Sequence, residues 1–399
     1  MNWADRNLGE LCSLITDGKH GDCKNEDGSG FFFISCKDIK DGRLNYDNAR
    51  QIVRTDFAET HRRTDLKPGD VLLTNSGTIG RLAIAPDDDR TERTTFQKSV
   101  AVLKPIRELI TSQFLYYKLA EENTRLTNSA GGAAQMNLLL GELRRFSIRI
   151  PPLAKQRSIT SVLSAYDNLI ENNRRRMQLL EQAARLLYKE WFVHLRFPGH
   201  EHTKIINGVP KGWERKVLGD VCFEVRETVS PNSFEPNTPY IGLEHIPRRS
   251  ITLCEWGQAE QVTSSKHRFH EGEILFGKIR PYFHKVGIAL TDGVASSDAI
   301  IIRPVSPHLL ALVLMTVSSD GFVAVCAQQM REGSKMPRAD WKQMQQYPFP
   351  QPPDGLLHTF NDIVAPILTQ LKTLAFSNRR LNAARDLLLP KLMNGEVAV

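Results

Sequence analysis

PPLAKQRSITSVLSAYDNLIENNRRRMQLLEQAARLLYKEWF, residues 151–192, decides how the rest of the chain is read. Its apolar positions are Ile159, Leu163, Tyr166, Ile170, Met177, Leu180, Ala184, Leu187 and Trp191. With Asn173 included, the steps alternate four and three without a slip. That is a heptad seam, with Leu163, Ile170, Met177, Ala184 and Trp191 at a, and Ile159, Tyr166, Asn173, Leu180 and Leu187 at d. Pro151 and Pro152 set the start, because proline fits a helix's first turn but not its interior. From Lys155 to Phe192 such a helix is roughly 55–60 Å long at 1.5 Å per residue. No small domain buries that length along one face, so the helix needs a partner of matching length.

On either side of it the chain repeats itself. Residues 1–150 read as a strand-rich globular body. Phe31–Ser35 is a buried strand, Pro68-Gly69-Asp70 a turn before the strand Val71–Leu73, and Ser76–Gly80 a tight turn before the strand Leu82–Ala85. Val100–Leu103 is a further strand and Ser112–Glu121 has helical spacing. Gly131–Asn137 is a small-residue loop, and Phe146–Ile150 leads into the prolines. Residues 193–212, rich in His, Gly and Pro, have no period and read as a linker. The pattern then restarts. Trp213 and Leu218-Gly219-Asp220-Val221 echo Trp3 and Leu8-Gly9-Glu10-Leu11. Glu271–Leu275 echoes Pro68–Leu72, Ser297–Pro304 echoes Lys98–Pro105, and Gly333–Arg338 echoes the Gly132–Asn137 loop. Pro352-Pro353 echoes Pro151-Pro152 and precedes a second heptad run: Val364, Ile367, Leu371, Leu374, Asn378, Leu381, Arg385, Leu388 and Leu392. Pro366 lies inside that run, which places the start of the second helix close to it. Collinear matches across both halves make the chain a tandem duplication.

The expected fold is therefore α+β, with two similar strand-rich domains in tandem and two long antiparallel helices as a coiled-coil spacer. The boundaries are 1–150 for the first body, 151–198 for the first helix, 199–350 for the linker and second body, and 351–399 for the second helix. Each seam carries one asparagine, Asn173 at d and Asn378 at a. In an antiparallel pair, a faces d, so the two can sit opposite each other and fix the register. Ile170 then meets Leu381, Met177 meets Leu374, Leu180 meets Leu371, and Ala184 meets Ile367. Leu187 meets Val364, Leu163 meets Leu388, and Ile159 meets Leu392. Only Tyr166 opposite Arg385 is mixed, as an arginine stacking on an aromatic face.

Composition narrows the function. At 399 residues, with 41% hydrophobic residues, the chain has enough apolar mass for real cores. A net charge of +7 and a pI near 9.0 lean towards an acidic partner such as nucleic acid, though a mildly basic protein with no such partner carries the same charge. The six cysteines are scattered without a C-x-x-C pair, which argues against a disulfide framework or structural zinc site and fits a reducing cytosol. No signal peptide and no membrane-length apolar run is seen.

Catalytic motifs are missing: Gly28-Ser29-Gly30 is the only G-x-G, and no H-E-x-x-H or G-x-S-x-G occurs. Asp87-Asp88-Asp89 reads as a solvated turn and His200-Glu201-His202 as linker, so neither is taken as a metal site. Cations and amides in the two bodies suit nucleic acid better. Lys278, Arg280, Tyr282, His284 and Lys285 follow the strand Ile274–Phe276; Asn75, Ser76, Thr78 and Arg81 hold the matching place in the first body. Gln135 and Asn137, and Lys335 and Arg338, form a second matched pair of loops. Arg and Lys read guanine edges and Asn and Gln read adenine, while many cations contact phosphate only. A plain solvated surface is the competing reading for each, and for Arg174-Arg175-Arg176 on the first helix.

These residues resemble a known family. The heptad stretch, GVPKGWERKVLGDV and the terminal RDLLLPKLMNGEVAV together are similar to the specificity subunit of type I restriction–modification enzymes. The resemblance covers essentially the whole chain. It implies two target recognition domains separated by two helices packed as an antiparallel coiled coil. Each domain would read one half of a split double-stranded DNA site, with the helices setting the gap. It also implies a subunit with no catalysis and no cofactor of its own. Its partners would be modification subunits, two per chain, which use S-adenosylmethionine to methylate adenine, and restriction subunits, which use ATP and Mg2+. A cytoplasmic protein without membrane contact follows. The rival readings are a coiled-coil scaffold that never touches DNA, and a DNA-binding repressor or antitoxin. The latter is disfavoured because no helix-turn-helix stands out.

Overall fold

Val71–Thr74 is buried at every residue, and the reason is that both faces of its sheet are covered. The computed structural model describes residues 3–131, 136–328 and 338–399. In the first body four antiparallel strands run in the order Cys12–Asp17, Val100–Pro105, Val71–Thr74, Leu82–Ile84. Side chains alternate between faces with period two. Val71, Leu73, Ala101 and Leu103 join a core with Phe114 and Leu115, while Leu72, Val100 and Val102 join another with Ile34 and Phe96. Phe114 and Leu115 come from the helix Ser112–Glu121, whose N-terminus is capped by the Thr111 hydroxyl accepting from Phe114 N at 3.2 Å. A second, three-stranded sheet pairs Phe32–Ile34 with Arg50–Gln51 and Thr94–Phe96. Ala4–Asn7 pairs with Ser147–Ile150, the segment that leads into the first long helix.

The second body uses the same plan. Its sheet runs Cys222–Val225, Ala299–Pro304, Ile274–Gly277, Val286–Ala289, Thr252–Leu253. Ile274, Phe276, Ile300 and Ile302 face one core, and Leu275, Ala299 and Ile301 the other. Glu214–Val217 pairs with Pro348–Gln351, as Ala4–Asn7 does with Ser147–Ile150. A further five-stranded sheet includes Pro239–Ile241 and Gly293–Ala295.

The first long helix spans Leu153–Tyr188 and continues as a π-helical turn, Lys189–Val193; the second spans Asp354–Met393. The chain divides into two units, residues 1–168 with 381–399, and residues 169–380. Each long helix thus contributes a segment to both. Within the second unit the helices run antiparallel: Asn173 Nδ2 donates to Asn378 Oδ1 at 2.9 Å, and Trp191 lies 5.7 Å from Phe360, ring to ring. Met177, Ala184, Val364, Leu371 and Leu374 are buried in the same core. Within the first unit, Ile159, Leu163 and Leu392 share a core, with Leu388 packed against it.

Three expectations need correction. The second helix does not begin near Pro366 but twelve residues earlier, at Asp354. Proline removes one backbone donor there, and the buried Leu357, Phe360 and Val364 hold the preceding turns by packing. Arg385 forms an ion pair with Asp167 at 2.7 Å, and that carboxylate also accepts from Tyr117 Oη. A charged acceptor next to Tyr166 takes the guanidinium that the seam alone assigned to the ring. The linker carries structure: Ile205–Ile206 and Val209–Pro210 form a small hairpin, and Phe197 is buried against Trp213, 5.2 Å between rings. Among the described residues no single helix is long and apolar enough to cross a membrane.

Candidate nucleic-acid interface

In each body one strand-to-strand turn meets one later loop. In the first body Thr74 N donates to Arg81 O at 2.8 Å and closes the turn. Leu138 N donates to Asn75 O at 2.8 Å, and Ser76 bridges Asn137, so both candidate loops lie side by side. In the second body Gly277 N donates to Lys285 O at 2.8 Å. Ala339 N donates to Lys278 O at 2.9 Å, and Ile279 bridges Arg338. The two arrangements match bond for bond.

The side chains at these tips do different things. Asn75 and Ser76 are buried, while Thr78 is exposed. Asn75 Oδ1 and Asn137 Oδ1 are buried without a hydrogen-bond partner. Arg81 reaches back to the carbonyls of Cys36 and Ile39, both at 3.3 Å, and so braces the neighbouring turn. Lys278 donates to Ser297 O at 2.9 Å, and burial lowers its pKa. Lys285 donates to Leu243 O, and burial lowers its pKa as well. Arg338 pairs with Asp298 at 3.3 Å. Gln135 and Lys335 lie outside the described residues. Asn173 and Asn378 hold each other within the helix pair. Asp88, which sequence alone left in a solvated turn, is bound by Arg90, whose guanidinium pulls its pKa down to about 2.

His284 is 3% exposed. Its Nε2 donates to Ser318 O at 2.7 Å, and Asp320 lies 3.5 Å from Nδ1. Burial, the largest effect, lowers its pKa, with Arg185 and Arg249 adding to it, so the ring is neutral at pH 7. Ser318 O also accepts from Arg185 Nη1 at 2.8 Å, and Arg249 N donates to His284 O at 2.9 Å. One turn earlier on the helix, the Glu181 carboxylate accepts from Ser250 Oγ at 2.8 Å, Ile251 N at 3.2 Å and Thr252 Oγ1 at 2.5 Å. Glu181 and Arg185 thus fasten the second body's turn region to the first long helix.

That leaves Arg280 and Tyr282 exposed at the second tip. Beside them sit two residues that sequence reasoning missed. Arg248 lies 4.0 Å over the Phe283 ring, and Tyr282 packs edge-on to Phe283 at 4.9 Å. Arg248 follows Pro247 in a segment without period or motif, and nothing local signals its approach to residue 283. Glu181 and Arg185 were also missed, because they sit off the heptad seam on a helix face that reads as solvated.

Comparison with known proteins agrees with this architecture. Residues 1–182 match the family model of the type I restriction modification DNA specificity domain. The chain is 24% identical over 349 residues to the type I restriction enzyme MjaIX specificity subunit of Methanocaldococcus jannaschii, covering 83% of this chain and 78% of the relative. It is 24% identical over 383 residues to the EcoDI specificity subunit of Escherichia coli, covering 88% and 78%. A solved S subunit of a type I restriction-modification system from M. genitalium has a similar fold, with a TM-score of 0.59 at 14% identity over 98% of this chain and 96% of that one.

Proposed function

We propose that the chain is a type I restriction–modification specificity subunit, the DNA-recognising member of such a complex, each body contacting one half of a bipartite double-stranded site. The match of residues 1–182 to the specificity-domain model and the similarity to specificity subunits along most of the chain support this reading. The observation that carries the reading is the matched tip: in both bodies a turn and a later loop are tied by the same backbone bond, Leu138 N to Asn75 O and Ala339 N to Lys278 O. Two similar readers on one chain suit two half-sites, and joining them raises affinity through effective concentration. The helix pair sets the gap between half-sites and docks the modification subunits, two per chain, and the restriction subunits. The chain itself does no chemistry. S-adenosylmethionine serves the modification subunits, and ATP with Mg2+ serves the restriction subunits.

Methylation-aware sequencing of a genome exposed to this chain and its modification subunits tests the proposal. The expected result is a split motif with a fixed gap. Salt dependence gives a second readout, since phosphate neutralisation produces a steep fall of affinity with salt. Binding of partner subunits without DNA retention at any salt would leave the scaffold reading standing instead.

A further inference from the structure

Arg280 and His284 have φ of 50° and 54°, in the left-handed region. At the matching positions of the first turn stand Gly77 and Gly80, with φ of 76° and 92°. Glycine takes this conformation without steric cost, whereas a side-chain-bearing residue is strained there. His284 has a structural reason to be present, because its ring is buried and donates to Ser318 O at 2.7 Å. Arg280 has none. Its side chain is exposed, and among the described residues it has no ion pair and no side-chain hydrogen bond; its guanidinium lies 5.8 Å from the Phe283 ring. A strained backbone holding an unengaged functional group is a mark of a binding site.

The surroundings say what binds. Phe283 carries Arg248 on it at 4.0 Å and Arg280 at 5.8 Å, with the exposed Tyr282 edge-on at 4.9 Å. Arg248 also has no ion pair or side-chain hydrogen bond among the described residues. The neighbouring cations are spoken for: Lys278, Lys285 and Arg338 are held by Ser297 O, Leu243 O and Asp298. Two planar guanidinium forks steadied by one aromatic ring remain for a ligand with paired acceptors. In duplex DNA both phosphate oxygens and the O6 and N7 edge of guanine offer this, and a single arginine held at the tip of a recognition turn is suited to the base edge.

We propose that Arg280, supported by Arg248 on the Phe283 ring, is a specificity-determining residue that reads a guanine in the half-site of the second body. This rests on the proposed function and goes beyond it by assigning the residue and the base.

The test compares wild type with Arg280→Gly and Arg248→Ala, each as the full chain with its modification subunits, by methylation-aware sequencing, duplex binding and thermal melting. The wild type should give a split motif with a fixed guanine in one half. Arg280→Gly should relax that position alone, leave the other half and the gap intact, and lower affinity for the cognate duplex roughly 5- to 100-fold. Its melting temperature should not fall, since glycine relieves the strain. Arg248→Ala should weaken the same half. A motif that keeps its guanine in Arg280→Gly overturns the inference, and so does a uniform loss of affinity with the motif unchanged, which would mark a phosphate contact. Loss of a partner subunit with DNA binding unchanged would mark a protein-docking patch and overturn it too. A wild type without any split motif would instead sink the proposed function.

Discussion

The turn Thr74–Arg81 and the turn Gly277–Lys285 solve one geometric problem with different residues. Both reverse a central strand, and both enter left-handed conformations twice, through Gly77 and Gly80 in one and Arg280 and His284 in the other. The first is glycine-built and locked by close packing: a Cβ on Gly80 would lie 2.1 Å from Asn123 Oδ1. The second carries side chains into strained positions and anchors them on the first long helix through His284, Ser318 and Arg185. Two bodies with one topology can thus differ in where their stability comes from. The first turn adds glycine packing to bonds of Thr74 and Arg81 within its own body, whereas the second relies on polar bonds that run through Ser318 to the long helix.

The largest effect expected from this contrast is at Glu181. Its carboxylate, 8% exposed, accepts three bonds from Ser250, Ile251 and Thr252. Glu181→Ala leaves those donors unpaired and should cost about 3 kcal/mol in the second unit, read as a shifted denaturant midpoint. A midpoint unchanged within error would remove polar anchoring as the distinction. Next comes Gly80→Ala, which should cost about 2 kcal/mol, combining left-handed strain with the Asn123 clash. Stability equal to wild type would show that the first turn is not locked by shape.

A smaller effect concerns the helix pair. Asn173→Leu leaves Asn378 without its 2.9 Å donor and should cost about 1–2 kcal/mol, whereas the double Asn173→Leu, Asn378→Leu should recover most of it. Cysteines at Leu180 and Leu371 should bridge under oxidation in a folded chain. Failure of that bridge would break the register.

The smallest effect is a pH slope confined to the second body. Burial lowers the pKa of His284, so the folded state favours the neutral ring. The stability it contributes is fully present above the unfolded value of about 6.5, and is lost as pH falls through the folded value. Asp320, Arg185 and Arg249 are the charges that face it. His284→Asn, which tolerates the left-handed backbone, should flatten the loss between about pH 7 and 5, read from denaturant midpoints at the two pH values. An identical slope in wild type and variant would shift the effect elsewhere, for example to the half-buried His267.

The sequence pattern carried much of this architecture. The strands Val71–Thr74 and Ile274–Gly277 are short apolar runs after turn signals, and local chemistry is enough to place them. Asn173 and Asn378 stand out because a polar residue interrupts each seam. What was not legible depends on partners distant in the chain. Nothing near Lys285 announces Leu243 O, and nothing near Arg81 announces Cys36 O. Sequence therefore presents the candidate cations as one group, while the fold ties most of them down. Pro366 misled for the opposite reason: a strong local signal was outweighed by the packing of Leu357, Phe360 and Val364.

The Glu181 and Arg185 fastening also governs how this protein can be recombined. A chimera that borrowed residues 199–350 for another chain of this kind would import the second tip without the two helix residues that steady it. Its turn would then rest on whatever side chains the recipient happens to offer at those positions. A viable cut has to fall before Glu181, inside the long helix, and well ahead of the place where the strands begin.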